Sequence, residues 1–328
     1  MANTSFDVVQ KLNVATLWIN QIYPLLQIIF GTFGNIFNII IFTRRSLRNN
    51  PCSLYFIFGS INNCFAVDIA LFARYLASTW NWDPSATNNV LCKLRNFFTY
   101  VSLTLSLWFT VLASIDRYLS CSKNARLRQM SNLAAARKNI IITIILICLF
   151  YLHILIYFKT GPSGTEINCI FSPYEYVIFL SFFGPIISCI LPILLMSTFG
   201  ILMILNVRNT HNRVGIHLNS TRYSRLRSHD RQLTIMLLFQ VLITTLISVP
   251  YFVLAIYNAI AIVIFRNKLS VSQLAIYNFG YNLFRLLYYT NPVIAFYIYT
   301  MSGTKFRLEM KLCIRNGFKS ILKAIGQI

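Results

Sequence analysis

Five charged residues interrupt long apolar stretches of this sequence, and they are its first candidates for chemistry. Asp116 and Arg117 are adjacent, whereas Asp68, Arg74 and Arg285 each stand alone in apolar surroundings. A charged side chain in such surroundings is costly unless it is paired or serves a function. An adjacent acid and base can form a local ion pair that leaves the guanidinium available as a switch. The simpler alternative is that the pair only ends the apolar stretch.

Groupings that catalyse reactions or bind metals are missing from the sequence. Three of the four histidines, at positions 211, 217 and 229, fall in one polar connection, and His153 lies near the end of an apolar stretch. Neither a metal-ligand spacing nor a Ser-His-Asp grouping nor a glycine-rich phosphate loop occurs. We therefore predict that the protein is not an enzyme and uses no cofactor or metal.

The composition requires a lipid environment for much of the chain. Of the 328 residues, 56% are apolar and 11% are charged, and the mean hydropathy is +0.61. A soluble protein carries about 25% charged residues. The net charge of +21 is compatible with a nucleic-acid partner. However, the basic residues recur between apolar blocks instead of forming one stripe, so we predict membrane lipid and no nucleic acid as a partner.

Seven apolar stretches are long enough to cross a bilayer, which takes about 20 residues in a helix. Continuous apolar runs favour helices over the alternating strands of a membrane barrel. The predicted fold class is therefore all-α, a seven-transmembrane helix bundle. The predicted spans lie around residues 18–42, 54–76, 96–115, 139–158, 176–207, 232–265 and 272–299.

The distribution of basic residues predicts the orientation. Twenty-one of the 29 Lys and Arg residues, counting Arg117, lie in or beside alternate connections and the C-terminal tail. Because basic residues mark the cytoplasmic side, the N-terminus is expected outside and the C-terminus inside. We predict an extracellular segment at 1–17, a transmembrane domain at 18–300 and a cytoplasmic eighth helix and tail at 301–328. Asn3, in an Asn-Thr-Ser sequon, is then a candidate glycosylation site outside the plasma membrane.

The motif at the inner end of the third span carries a family resemblance. Asp116-Arg117-Tyr118 resembles the Asp-Arg-Tyr motif of rhodopsin-like (class A) G-protein-coupled receptors, and the pattern is most similar to divergent invertebrate neuropeptide-type orphan receptors. Lys305-Phe306-Arg307 opens a stretch similar to the family's short amphipathic eighth helix. The resemblance covers residues 30 to about 315. Other marks of the bundle and its switch fall at the family's positions, in order: Gly34-Asn35, Ser106, Pro192, Pro250 and Asn291-Pro292.

The resemblance implies roles for three cysteines. Cys92 and Cys169 are the only two of eight cysteines in outer positions, and the family joins such a pair in a disulfide. That bond would stabilise the fold by about 2–4 kcal/mol, and two free thiols are the alternative. Cys313, after the eighth-helix motif, is either a palmitoylation site or an inert thiol.

The resemblance also implies how the inner end works. Asp116, Arg117 and Tyr118 would form the coupling site for a heterotrimeric G protein, with Asp116 holding Arg117 in the resting state. Asp230 occupies a position where the family often has an acidic partner for this arginine, so an Arg117–Asp230 clasp between helices 3 and 6 is one hypothesis. The other is that Asp230 only offsets neighbouring arginines in a solvated loop.

The expected ligand pocket lies at the outer end of the bundle. Monoamine receptors have an aspartate where this sequence has Thr99, and opsins have a lysine where it has Arg285, so neither ligand class fits. Because helices 2 and 7 are neighbours in the family, an Asp68–Arg285 ion pair is expected. Either this pair only joins the two helices, or one arginine receives an anionic or amidated group of the ligand. A hydroxyl-rich aromatic pocket fits a short extracellular peptide best. The candidate pocket residues are Arg74, Thr99, Tyr100, Tyr251, Phe252, Tyr281 and Arg285.

Several positions depart from the family pattern. The aspartate expected at Asn63 or Cys64 is absent, so the family's buried sodium site is in doubt, and the aromatic residue expected two before Pro250 is Ser248. The tyrosine expected three after Pro292 is Ala295. A membrane transporter or channel is the alternative class, but it predicts internal repeats or a path of intramembrane charges, neither of which the sequence shows.

Overall fold

A computed structural model describes residues 2–163, 166–211, 221–265 and 269–324 as a bundle of long helices. The helices are α1 (Ala2–Phe42), α2 (Pro51–Phe65), α3 (Phe72–Trp80), α4 (Pro84–Thr87), α5 (Asn89–Ser120), α6 (Ala125–Met130), α7 (Leu133–Tyr151), α8 (Ile154–Tyr157), α9 (Tyr174–Pro185), α10 (Leu191–His211), α11 (Thr221–Tyr257), α12 (Val271–Tyr288), α13 (Asn291–Ser302) and α14 (Thr304–Ala324). Two strands, β1 (Phe158–Ser163) and β2 (Glu166–Phe171), form an antiparallel hairpin.

The helices assemble into seven spans. Spans 1 and 3 are α1 and α5, span 4 is α7 with α8, and span 6 is α11 with a π-helical end. Span 2 joins α2 to α3 through a π-helical turn at Ala66–Leu71, and span 5 joins α9 to α10 through another at Ile186–Ile190. Span 7 is α12 with α13. The prediction of an all-α seven-helix bundle is confirmed, with the hairpin as an addition.

Among the described residues, six of the spans are long and apolar enough to cross a bilayer, judged by length and composition. Span 7 is divided at Tyr289 and Thr290 into helices of 18 and 12 residues, just before Asn291 and Pro292. It belongs to the bundle because α12 and α13 both pack against spans 1 and 6. The six apolar segments are Asp7–Phe42, Pro51–Trp80, Asn89–Ser120, Leu133–Tyr157, Tyr174–Asn206 and Gln232–Ala261.

Asparagine side chains fix where several helices begin. Asn50, Asn88 and Asn132 each accept a hydrogen bond, at 2.9 Å, from a backbone N–H in the first turn of α2, α5 and α7. Such caps satisfy donors that have no partner within the helix. Ser270 begins α12 with a reciprocal capping box to Gln273. Short polar connections therefore end one span and start the next.

The outer surface of the bundle is apolar, and its interior is closely packed. Leu246 and Val253 are 65% and 60% exposed, in keeping with side chains that face lipid acyl chains. Spans 1 and 7 approach closely at Gly34, where an added Cβ would lie 3.0 Å from the Cβ of Phe296. A larger residue at position 34 would force the two helices apart.

Both ends of the chain are more helical than the sequence indicated. Helix α1 begins at Ala2, so it continues through the segment predicted to lie outside the bilayer. The eighth helix, α14, extends to Ala324 and is anchored by buried Phe306, which packs against Phe42 and Phe296. Arg44 and Glu309 form an ion pair at 2.7 Å that ties α14 to the first connection.

Candidate functional site

The inner end of span 3 contains a buried ion pair. The Arg117 Nη2 atom lies 2.7 Å from Asp116 Oδ2, and these side chains are only 1% and 5% exposed. Arg117 also donates from Nη2 to Asn50 Oδ1 at 2.9 Å, and Ser131 donates to Asp116 Oδ1 at 2.7 Å. The pair expected from the sequence is therefore present. Its hydrogen bonds connect span 3 to the start of span 2 and to the connection before span 4.

Two further residues were predicted to act at the inner end of the bundle, Tyr118 and Asp230. The structure describes the side chain of Tyr118 only. The ring of Tyr118 packs against Phe199 of span 5, with centroids 5.5 Å apart. Asp230 lies in α11, but its side chain falls outside the described residues, as do the side chains of 207–231 generally. The Arg117–Asp230 clasp stays a prediction.

A second polar cluster joins spans 3, 6 and 7 deeper in the bundle. The Tyr299 hydroxyl donates to Gln240 Oε1, and Gln240 Nε2 donates to Thr110 Oγ1 at 3.1 Å. The three residues are 2%, 9% and 4% exposed. We call these residues the Tyr299–Gln240–Thr110 clasp. Ser106, predicted to face the bundle, is buried one turn before Thr110 and accepts at its backbone oxygen from the Thr110 hydroxyl.

The predicted polar residues of span 7 contact neighbouring spans. Asn35 donates from Nδ2 to the backbone oxygen of Pro292 at 2.8 Å, which links span 1 to span 7. Asn291 donates to the hydroxyl of buried Ser248 at 2.9 Å, two residues before Pro250 in span 6. Ser248 stands where the family has an aromatic residue. It accepts a hydrogen bond from Asn291, which matches the family's asparagine.

Two arginines meet near the outer half of the bundle. Arg74 of span 2 and Arg285 of span 7 both donate to the same atom, Asn282 Oδ1, at 2.9 and 3.1 Å. Asn282 is buried and donates in turn to Asn20 of span 1 at 2.9 Å. The Arg285 guanidinium also lies 5.6 Å from the ring centroid of Tyr281. We call Arg74, Arg285 and Asn282 the arginine cluster.

The predicted Asp68–Arg285 ion pair is wrong. No such pair occurs within 4.0 Å among the described side chains, and Asp68 accepts a hydrogen bond from Thr32 of span 1 instead. Asp68 lies within the π-helical turn of span 2, which is wider than an α-helical turn and changes the direction in which side chains project. Arg74 and Arg285 are thus gathered around a neutral amide.

Comparison with known families decides the class of the protein. The family "7 transmembrane receptor (rhodopsin family)" matches residues 34–299, which is most of the chain and nearly all of the bundle. The chain belongs to the rhodopsin family of seven-transmembrane receptors. As such it is a multi-pass plasma-membrane receptor, and G-protein-coupled signalling is the general activity of this family.

The outer side of the receptor is tied by the predicted disulfide. Cys92 and Cys169 are bonded, with their Cα atoms 5.5 Å apart and a sequence separation of 77. The bond attaches β2 to the start of span 3, and the hairpin pairs Phe158 with Phe171 through Ser163 with Glu166. The described part of this loop is therefore a strand pair attached to the start of span 3.

A second contact orders the first outer loop. Arg95 Nη1 lies 2.6 Å from Asp83 Oδ2, and Ser85 donates to Asp83 Oδ1 through both its backbone N–H and its hydroxyl. Partial burial raises the pKa of the Asp83 carboxyl, but the Ser85 and Arg95 contacts outweigh it, and the net pKa is lowered. Asp83 is therefore an ionised partner of Arg95 at neutral pH.

The predicted pocket aromatics pack against one another and against neighbouring aromatics of spans 4 and 7. Tyr251 stacks on Tyr288, with centroids 5.1 Å apart, and lies 5.8 Å from Tyr281, beside the arginine cluster. Tyr100 packs against Tyr151 of span 4, and Phe252 is buried in a cluster with Tyr288. The hydroxyl of Thr99 donates to the Arg95 backbone oxygen in its own helix.

Sequence reasoning missed the residues that organise both polar clusters. Asn282 precedes Arg285 by one turn, so helical spacing would have placed them on one face of span 7. Tyr299 stands four residues after Ala295, so its hydroxyl projects from the same face one turn beyond the expected tyrosine. Gln240 lies ten residues before Pro250 and carried only the general signal of a polar side chain inside an apolar span.

Proposed function

We propose that this receptor converts binding of an extracellular ligand, most suitably a short peptide, into activation of a cytoplasmic heterotrimeric G protein. The buried Asp116–Arg117 pair carries the proposal. Arg117 is 1% exposed and paired with Asp116, so in this arrangement its guanidinium does not face a cytoplasmic partner. Its release would present a guanidinium to a partner surface.

The contacts of the pair support a two-state switch. Asp116 and Asn50 both accept hydrogen bonds from Arg117, and Ser131 completes the shell of Asp116. A ligand that binds the open arrangement of the spans more tightly shifts the population towards it. The Tyr299–Gln240–Thr110 clasp joins spans 3, 6 and 7 between the outer pocket and this pair, so ligand-induced movement of span 6 or 7 would reach Arg117 through it.

The outer half of the bundle supports a peptide ligand. Tyr281 lies 5.6 Å from the Arg285 guanidinium, Tyr251 packs against both Tyr281 and Tyr288, and the disulfide ties the hairpin to the start of span 3. Tyrosine combines apolar area with a hydroxyl, which suits a ligand that has backbone amides and apolar side chains. Arg74, Arg285, Thr99, Tyr100 and Phe252 complete the proposed binding residues.

The experiment measures ligand-independent G-protein activation in cells at matched surface expression. Asp116→Asn removes the charge that retains Arg117, so its basal signal should exceed that of the wild type several-fold. Adding Arg117→Leu should return the signal to that of untransfected cells. Arg44→Gln, which breaks an ion pair on the same face, should leave the basal signal unchanged. A basal signal in the double variant equal to that of Asp116→Asn would refute the proposal.

Peptide recognition is tested by the same sensors and a peptide library. We expect a concentration-dependent response to one peptide class that disappears in the Arg117→Leu variant. A saturable response only to non-peptide ligands would contradict the peptide assignment while leaving the receptor function intact.

A further inference from the structure

The arginine cluster holds two positive charges around one neutral oxygen. Arg74 and Arg285 share Asn282 Oδ1 as an acceptor, and the Arg285 Nε atom is buried without a hydrogen-bond partner in the described part of the chain. A buried charge is normally retained only when it is paired or functional. An anion between Arg74 and Arg285 would therefore reduce the repulsion of two like charges that share one neutral acceptor.

The acids that the structure describes do not supply that anion. Asp83 pairs with Arg95, Asp116 with Arg117 and Glu309 with Arg44, while Asp68 is bonded to Thr32. None of the described carboxylates lies within 4.0 Å of Arg74 or Arg285. A carboxylate that balanced the cluster would therefore have to come from outside the described side chains.

We propose that Arg74 and Arg285 together bind a carboxylate group of the extracellular ligand, such as the free C-terminus of a peptide or an acidic side chain. The proposal rests on the proposed receptor function for the position of the ligand, and it adds the chemical class. Guanidinium groups bind carboxylates through paired N–H donors, which a neutral amide oxygen cannot fully accept. The carboxylate replaces Asn282 Oδ1 as the hydrogen-bond acceptor of both arginines. Tyr281, whose ring lies near Arg285, forms the adjacent wall of the site.

A carboxylate held between spans 2 and 7 also explains how the site could act on the bundle. Arg74 and Arg285 are carried by different spans, and Asn282 connects span 7 to Asn20 of span 1. On binding, the ligand carboxylate replaces Asn282 Oδ1 between Arg74 and Arg285. The attraction between opposite charges then draws spans 2 and 7 towards the ligand. The site therefore determines both which ligands bind and which spans respond.

The first test needs no ligand. Asn282→Asp places a carboxylate between the two arginines, so the melting temperature of the purified receptor in phosphatidylcholine nanodiscs should rise by roughly 2–4 °C. Asn282→Ala removes the shared acceptor and should lower it. An unchanged or lower melting temperature in Asn282→Asp overturns the proposal.

The second test uses a matched pair of probes, N-acetyl-L-phenylalanine and its uncharged amide, at 10 mM and equal ionic strength. The acid should raise the melting temperature of the wild type by a few degrees and the amide should not. Arg74→Gln, Arg285→Gln and Asn282→Asp should each abolish the response, whereas Lys159→Gln, which removes an exposed outer charge, should retain it. No response to the acid, or an equal response to both probes, overturns the proposal.

A lipid could supply an oxyanion instead of a soluble ligand. Replacing part of the phosphatidylcholine with phosphatidylglycerol distinguishes the two, because stabilisation by that lipid that depends on Arg285 would contradict a soluble carboxylate. No G protein is present in these melting-temperature measurements. If the acid stabilises the receptor but the cell assay shows no G-protein activation, the proposed function is rejected and the carboxylate site is retained.

Discussion

Replacing Tyr299 by phenylalanine should raise the basal signalling of the receptor. The substitution removes one hydroxyl and keeps the ring contacts with Phe42 and Phe56. Gln240 Oε1 then loses its donor in a part of the bundle where Gln240 is 9% exposed. Leaving a buried polar atom unpaired costs about 1–3 kcal/mol. If that cost applies only to the resting arrangement, the open population rises about 5- to 140-fold.

The assay is ligand-independent G-protein activation at matched surface expression, with a second substitution to isolate the hydrogen bond. Replacing both partners of a buried hydrogen bond by apolar groups can be nearly neutral, so Tyr299→Phe combined with Gln240→Leu should signal less than the two single effects predict. Tyr297→Phe is the matched control, because it removes a hydroxyl that bonds the Phe30 backbone oxygen at the edge of the bundle. Additive effects of Tyr299→Phe and Gln240→Leu, or an equal rise in Tyr297→Phe, would show that the Tyr299–Gln240 hydrogen bond does not hold the resting arrangement.

Two further predictions concern the outer side. Replacing Cys92 and Cys169 together by alanine should destabilise the receptor by about 2–4 kcal/mol, and a single replacement should cost as much; a melting temperature equal to that of the wild type would argue against a stabilising disulfide. Because the pKa of Asp83 is lowered in the fold, the stability that its Ser85 and Arg95 contacts contribute is present above the ordinary aspartate pKa and is lost as the pH falls through the lowered value. Asp83→Asn should remove that acid-dependent change in melting temperature, and an unchanged pH profile in the variant would assign the effect to other groups.

The sequence predicted those features that depend on local motifs and on topology. The Asp116–Arg117 pair follows from adjacency, and the Cys92–Cys169 bond follows from two cysteines on the oxidising side of a bundle whose family places them together. Continuous apolar runs likewise predicted the spans, because a membrane helix satisfies its backbone hydrogen bonds internally.

The features that the sequence missed depend on the rotation of one helix relative to another. The Asp68–Arg285 pair was expected because helices 2 and 7 are neighbours in the family, but Asp68 lies in the π-helical turn at Ala66–Leu71 and is bonded to Thr32. The sequence carries no clear signal for such a turn. Similarly, the absence of a tyrosine at Ala295 suggested a missing switch element, whereas Tyr299 supplies a hydroxyl one turn later.

The strongest test of the seven-span topology is the location of the two chain termini in intact cells. Seven spans place the N-terminus and the C-terminus on opposite sides of the membrane. The Cys92–Cys169 disulfide is then outside, and Arg117 is within reach of a cytoplasmic partner. An epitope at the N-terminus should be labelled by antibody without permeabilisation, and an epitope at the C-terminus should be labelled only after it. Labelling of both epitopes without permeabilisation, or of neither, would contradict a seven-span topology.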